Sequence, residues 1–134
     1  MELGLAGRRA LVTGGSKGLG RAIAAELLAE GAAVFICARH SDELEATAAE
    51  LRREGPSSAA VTAMACDVTD PDQVSAMTEA AVAALGGLDI LVNNAGGARP
   101  GRFAALTDTD WHEDIEVKLF SQIRCIRAAL PELR

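Results

Sequence analysis

Four short apolar runs punctuate the chain, and longer amphipathic stretches separate them. The runs are RALVTG (9–14), AAVFICA (32–38), AAVTAMAC (59–66) and LDILVNN (88–94). The first, second and fourth show little polar alternation, which suits strands covered on both faces, as in a parallel sheet. Between them the spacing turns helical. A first helix is expected from about Gly18 to Glu30, with Leu19, Ile23 and Leu27 on one face and Gly31 as its left-handed stop. A second is expected over about 42–53, capped by Asp42. A third opens at DPDQ, where Asp70 caps, Pro71 fits the first turn and Gln73 closes a capping box; it ends at Gly86-Gly87. A fourth opens at the cap Thr107 and is expected to carry Trp111, Ile115, Leu119, Ile123, Ile126 and Leu130 toward a core. Pro131 marks its frayed end or a kink.

The resulting order is β-α-β-α-β-α-β-α, and parallel strands need right-handed crossovers. The expected fold class is α/β: a three-layer, Rossmann-type doubly wound parallel sheet, truncated after the fourth β-α unit. Residues 1–134 read as one domain, long enough to bury a core. Hydrophobic residues make up 49% but aromatic ones only 3%, so that core must come from Val, Ile, Leu and Ala.

Charge and cysteine usage narrow the setting. A net charge of −6 argues against a nucleic-acid surface, which needs a basic stripe. No apolar run reaches the roughly 20 residues that span a bilayer. The start MELGLAGRRALV does not read as a signal peptide. The expectation is a cytoplasmic protein with neither nucleic acid nor membrane as partner. Cys37, Cys66 and Cys125 are widely spaced and odd in number, so they read as buried free thiols, with no metal site.

The chemistry concentrates in LVTGGSKGLG (11–20), where a strand runs straight into Gly14, Gly15, Gly18 and Gly20 and then into a helix. Glycine lets backbone amides approach an anion, and the helix start adds unpaired donors and partial positive charge. The spacing is Gly14-x-x-x-Gly18-x-Gly20, not G-x-G-x-x-G, because Ile23 stands where the last glycine would fall. A nucleoside-triphosphatase phosphate loop fails too: Arg21 and Ala22 replace its lysine and hydroxyl residue.

TGGSKGLG, followed by CDVTD (66–70) and NNAG (93–96), resembles the N-terminal, cofactor-binding half of the short-chain dehydrogenase/reductase family across residues 5–134. The resemblance implies that Gly14, Ser16, Lys17, Gly18, Leu19 and Gly20 surround a dinucleotide pyrophosphate. It implies that Asp67 bonds the adenine with Val68 beside it, and that Asn93, Asn94, Ala95 and Gly96 line the ribose and nicotinamide side. The plainer readings are that Asp67 caps a turn and that NNAG is a turn after a strand.

Cofactor choice follows from the corner after the second strand. Folds selecting NAD place an acid there, and those selecting NADP a basic residue. Here the corner holds Arg39, then His40, and no acid appears before Asp42. With Lys17 in the glycine turn, two cations would face a 2′-phosphate, so NADP is expected, with NAD as second choice.

The family's catalysis uses a Tyr and a Lys four residues later, with a Ser on the preceding strand. The tyrosine exchanges a proton with the substrate oxygen, and the lysine lowers its pKa. This chain has no tyrosine. The expectation is therefore a cofactor-binding half of an NADP-dependent oxidoreductase acting on an alcohol or carbonyl, inactive or nearly so alone. The alternative is a non-catalytic NADP-binding module or remnant. A further departure is VKLF (117–120), where the family reads VNL, the asparagine helping to hold a relay water. Two roles stay open for Lys118: an i, i+4 pair with Asp114, or a proton carrier in the cleft. No other catalytic residue is assigned. The segment GARPGRFAAL (97–106) is a candidate wall of the cleft, and the fourth helix a candidate homo-oligomer contact.

Overall fold

The computed structural model describes residues 2–97 and 100–133. Its strands are β1 (Arg9–Thr13), β2 (Ala33–Ala38), β3 (Val61–Ala65) and β4 (Ile90–Val92). They alternate with helices α1 (Gly18–Ala29), α2 (Ser41–Glu54) and α3 (Pro71–Leu85). After β4, a short 3₁₀ turn (Phe103–Ala105) leads to α4 (Asp108–Ile115), a π-helical turn (Glu116–Phe120) and α5 (Ser121–Leu133).

The sheet is parallel throughout, in the order β3-β2-β1-β4. From β1 the chain winds outward through β2 and β3, then returns to the other side of β1 with β4. That reversal creates a crevice beyond the carboxyl ends of β1 and β4, where doubly wound sheets bind ligands. The fold class expected from the residues is the one observed.

Strand alternation divides the core in two. Val12, Val34 and Ile36 face α1 and α2, where they meet Ala24, Leu28, Leu44 and Leu51. Leu11, Phe35 and Cys37 face the opposite layer, with Val74 and Met77 of α3 and Cys125 and Ala129 of α5. At the end away from the crevice, Arg9 pairs bidentately with Asp89, Nε to Oδ2 at 3.0 Å and Nη2 to Oδ1 at 3.1 Å, joining the first residue of β1 to the entry of β4. This contact holds the Asp89 carboxyl below its ordinary pKa, chiefly through the Arg9 hydrogen bond.

Several local expectations need correction. The fully buried row of α1 is Gly20, Ala24 and Leu28, and of the face shared by Leu19, Ile23 and Leu27 only the last two pack against the core. Small residues let the helix sit close to the strands, so Ile23 and Leu27 flank the contact and Leu19 is 74% exposed. In α2 the cap position is His40, and no side chain caps it; Asp42 lies inside the first turn instead. Asp70 does cap α3, accepting from the amides of Asp72 and Gln73. Gln73 does not close the box on the Asp70 amide, however: its Nε2 donates to Asp70 Oδ2, while its Oε1 accepts from the Asp67 amide.

The largest correction concerns the last helix. Thr107 and Asp110 form a complete capping box. The helix is then interrupted by the π turn, across which the Ser121 hydroxyl donates to the Val117 carbonyl. The side turned to the core carries Ser121, Cys125 and Ala129. Trp111, Ile115, Leu119, Ile123, Ile126 and Leu130 are instead 37–53% exposed. Small side chains fit the narrow gap beside α3 and β4, and the large ones are left outward. Pro131 neither frays nor ends α5, which continues to Leu133.

Candidate functional site

The crevice is a cavity of about 1130 Å³, bordered by the glycine turn, the corner after β2, the loop after β3, the segment after β4 and α4 with its π turn. Its form is set first by the turn between β1 and α1. Gly14 has φ +65°, and a Cβ there would stand 3.0 Å from the Ala95 Cα. At Gly20 the restriction is contact: a Cβ would lie 2.1 Å from the Gly14 carbonyl oxygen. The turn and the helix can therefore meet only backbone to backbone.

Hydrogen bonds hold this turn from three sides. The Gly15 amide donates to the Cys37 carbonyl of β2 at 3.0 Å. The Asn94 Nδ2 donates to the Gly14 carbonyl at 3.1 Å. From α2, the Thr47 hydroxyl donates to the Ser16 carbonyl at 2.6 Å. Thr13 secures the other lip, because its Oγ1 accepts from the amides of Asn94 and Ala95, both at 3.0 Å. These amides leave the ladder for Thr13, which explains why β4 stops at Val92 rather than running to Asn94.

What remains free is informative. The cap position of α1 is Lys17, whose side chain makes no cap hydrogen bond. The amides of Gly18, Leu19 and Gly20 have no acceptor within the helix. The contrast with α3 and α4, whose starts are closed by Asp70 and by the Thr107–Asp110 box, is plain. An uncapped start beside a cavity is a place for an anion. Lys17, Arg39 and His40 are exposed and border the same cavity.

Of the other expected residues, Ser16, Asp67, Val68, Asn94, Ala95 and Gly96 also border the cavity. Gly20 and Asn93 do not; Gly20 is buried beneath the turn. Asp67 caps a turn: its Oδ1 accepts from the Thr69 hydroxyl at 2.7 Å and the Thr69 amide at 2.9 Å. Those two bonds, with the charge of Arg39 adding to them, hold its carboxyl below the ordinary range. Lys118 pairs with Asp114, Nζ to Oδ2 at 3.0 Å, and is not on the cavity surface. Of the proposed 97–106 wall, Gly97 borders the cavity, while Ala98 and Arg99 lie outside the described residues.

Sequence reasoning missed the far wall, made by His112, Glu113, Asp114, Glu116 and Val117. It missed the floor too, where Cys37 and Cys66 lie side by side. The hydrogen bond with Cys66 and burial push the Cys37 thiol up, and burial pushes Cys125 up to about 11. A protonated thiol at Cys37 adds no charge there. All three cysteines are free and buried, as expected. Among the described residues no cluster of His, Cys, Asp or Glu is arranged to hold a metal ion. No helix among them is long and apolar enough to cross a membrane.

Comparison with known proteins agrees with this geometry. The family model described as short chain dehydrogenase matches residues 8–134. A 3-oxoacyl-(acyl-carrier-protein) reductase of Staphylococcus aureus is 37% identical over 127 residues, covering 94% of this chain and 50% of its own length. L-sorbose reductase from Gluconobacter frateurii, solved with NADPH and L-sorbose, superposes with a TM-score of 0.92 at 34% identity, covering 99% of this chain and 50% of that one. An NADPH-bound short chain oxidoreductase from Pseudomonas aeruginosa, described as containing an atypical catalytic center, gives 0.90 at 47% identity, covering 94% and 49%. The chain belongs to the short-chain dehydrogenase/reductase family. It spans about half the length of the relatives it matches.

Proposed function

We propose that this chain binds NADP in the crevice and forms the cofactor half of an oxidoreductase that interconverts an alcohol and a carbonyl. The observation that carries this reading is the uncapped start of α1, placed behind a glycine turn and opening on a large cavity at the sheet's switch point. The residues fit the group. A Cβ would fill the turn at Gly14 and Gly20, and the free amides of the helix start suit a diphosphate. Lys17 and Arg39 suit the 2′-phosphate through charge-assisted bonds, with His40 beside them. Asp67 and Val68 border the space for the adenine, and Asn94, Ala95 and Gly96 border the space for the ribose and nicotinamide.

When bound, the nicotinamide supplies or accepts the hydride. The chain's own part is to grip the phosphates, orient the ring along the segment after β4, and shield one side with α4. The Lys118 ammonium is engaged by Asp114, which favours its structural role over proton transfer. Because the chain has no tyrosine, the proton-transfer apparatus of the family is not completed by these 134 residues, and we expect little or no turnover from them alone. Three reduced, buried thiols fit a cytoplasmic setting. The exposed row along α4 and α5 supports self-association through that face.

Calorimetric titration of the 134-residue chain with NADPH and NADH tests the binding, with NADPH expected to bind more tightly. Absence of heat with either dinucleotide overturns the reading. A second reading, a binding module without catalysis, rests on the missing tyrosine. Steady NADPH oxidation by the same material against a carbonyl panel would exclude it.

A further inference from the structure

Two threonines occupy equivalent settings in this fold, and their hydroxyls do different things. Thr78 lies in α3 and Thr47 in α2, each 5% exposed. Thr78 Oγ1 donates to the Val74 carbonyl four residues back in its own helix, at 2.8 Å. That is the ordinary outlet for a threonine hydroxyl inside a helix. Thr47 does not use it. Its hydroxyl reaches 31 residues back along the chain and donates to the Ser16 carbonyl at 2.6 Å.

The consequence concerns what the glycine turn shows to the cavity. Ser16 immediately precedes the α1 cap, Lys17. Its carbonyl oxygen is a partial negative charge, and turned toward the cavity it would oppose an anion. Bonded to a buried side chain of α2, it is held toward the interior. The amides that follow keep the direction of the helix axis. The same helix starts directly after Arg39 and His40. α2 therefore holds both the corner that supplies cations and the strap that shapes the turn.

We propose that Thr47 is a positioning residue for the dinucleotide diphosphate, acting through the Ser16 carbonyl and touching no ligand itself. This rests on the dinucleotide reading above. Losing one buried neutral hydrogen bond at such a place corresponds to roughly five- to tenfold in affinity.

The test compares Thr47→Val, which keeps the shape, Thr47→Ser, which keeps the hydroxyl, and Thr78→Val as the helix-internal control, all in the full chain. Dissociation constants are measured for NADPH and for adenosine 2′-monophosphate, which lacks the diphosphate, alongside thermal melting. The expected result is NADPH binding weakened about five- to tenfold in T47V and restored in T47S. Binding of adenosine 2′-monophosphate should stay within about twofold throughout, as should NADPH binding by T78V. Equal NADPH affinity in T47V and the parent chain overturns the proposal. So does a T47V loss shared by both ligands, or a T47V chain that fails to fold while T47S folds, since the hydroxyl would then serve the fold rather than the turn. If the unsubstituted chain binds no NADPH, the dinucleotide reading falls first and the role of Thr47 with it.

Discussion

The glycine turn and the outer face of α4–α5 are both surfaces without a finished partner, but of opposite chemistry. In the turn, the carbonyls of Gly14 and Ser16 and the amide of Gly15 are each bonded inside the protein. The amides of Gly18, Leu19 and Gly20 at the start of α1 have no acceptor within their helix. Along α4–α5 the unfinished groups are apolar: Leu119 is 53% exposed and Ile126 45%. Spare donors at a helix start ask for an anion, and a row of large apolar side chains asks for another apolar surface. The kind of group left unsatisfied thus separates a small-ligand site from a protein contact.

The strongest attempt to break this contrast is Gly20→Ala. With a Cβ forced to within 2.1 Å of the Gly14 carbonyl oxygen, turn and helix must separate. We expect NADPH binding to be lost and stability to fall by about 3 kcal/mol, measured by titration and thermal melting. A variant that still binds would show that the backbone contact is dispensable.

Charge reversal at Arg39 ranks next. Arg39→Glu should weaken NADPH roughly 10- to 100-fold and leave NADH nearly unchanged, as titration with each cofactor reports. Equal losses for both would remove Arg39 from 2′-phosphate selection. On the other surface, a paired Leu119→Glu and Ile126→Glu substitution should raise the dissociation constant for self-association at least about tenfold without altering NADPH affinity. Sedimentation velocity reads this directly, and a monomeric parent chain would refute the assignment of that face.

The smallest effect is acid sensitivity at the β3 corner. The Asp67 pKa is lowered by Thr69 in the folded chain, so its stabilising contribution is complete above its unfolded value, near about 4. It is lost as pH falls through the lowered folded value. Asp67→Asn should remove that slope, costing under about 1 kcal/mol at neutral pH, and the two stability curves should converge once the pH lies below the lowered folded value. Chemical denaturation across that range makes the comparison.

The parts of the molecule that were legible from residues are the local ones. The four strand positions, the Asp70 and Thr107 caps and the glycine turn each depend on residues within a few positions of one another. The outward row of α4–α5 was read inward because its periodicity is that of any amphipathic helix. Periodicity states that one face is apolar, not which neighbour waits for it. Leu19 shares a helical face with Ile23 and Leu27 by spacing, yet it stands exposed on the cavity border.

Residue order alone therefore settled the alternation of strands and helices, the parallel sheet and the place where amides lie bare, because backbone preference and short-range spacing encode them. Tertiary packing decided which row of α1 and α5 turns inward, that Asn94 and Thr47 both strap the turn, and that α4 and the π turn supply the far wall of the crevice. Thr13 and Asn94 stand 81 residues apart, and Thr47 and Ser16 31 apart. Such pairings exist only once the sheet has brought the strand ends together, and no spacing along the chain announces them.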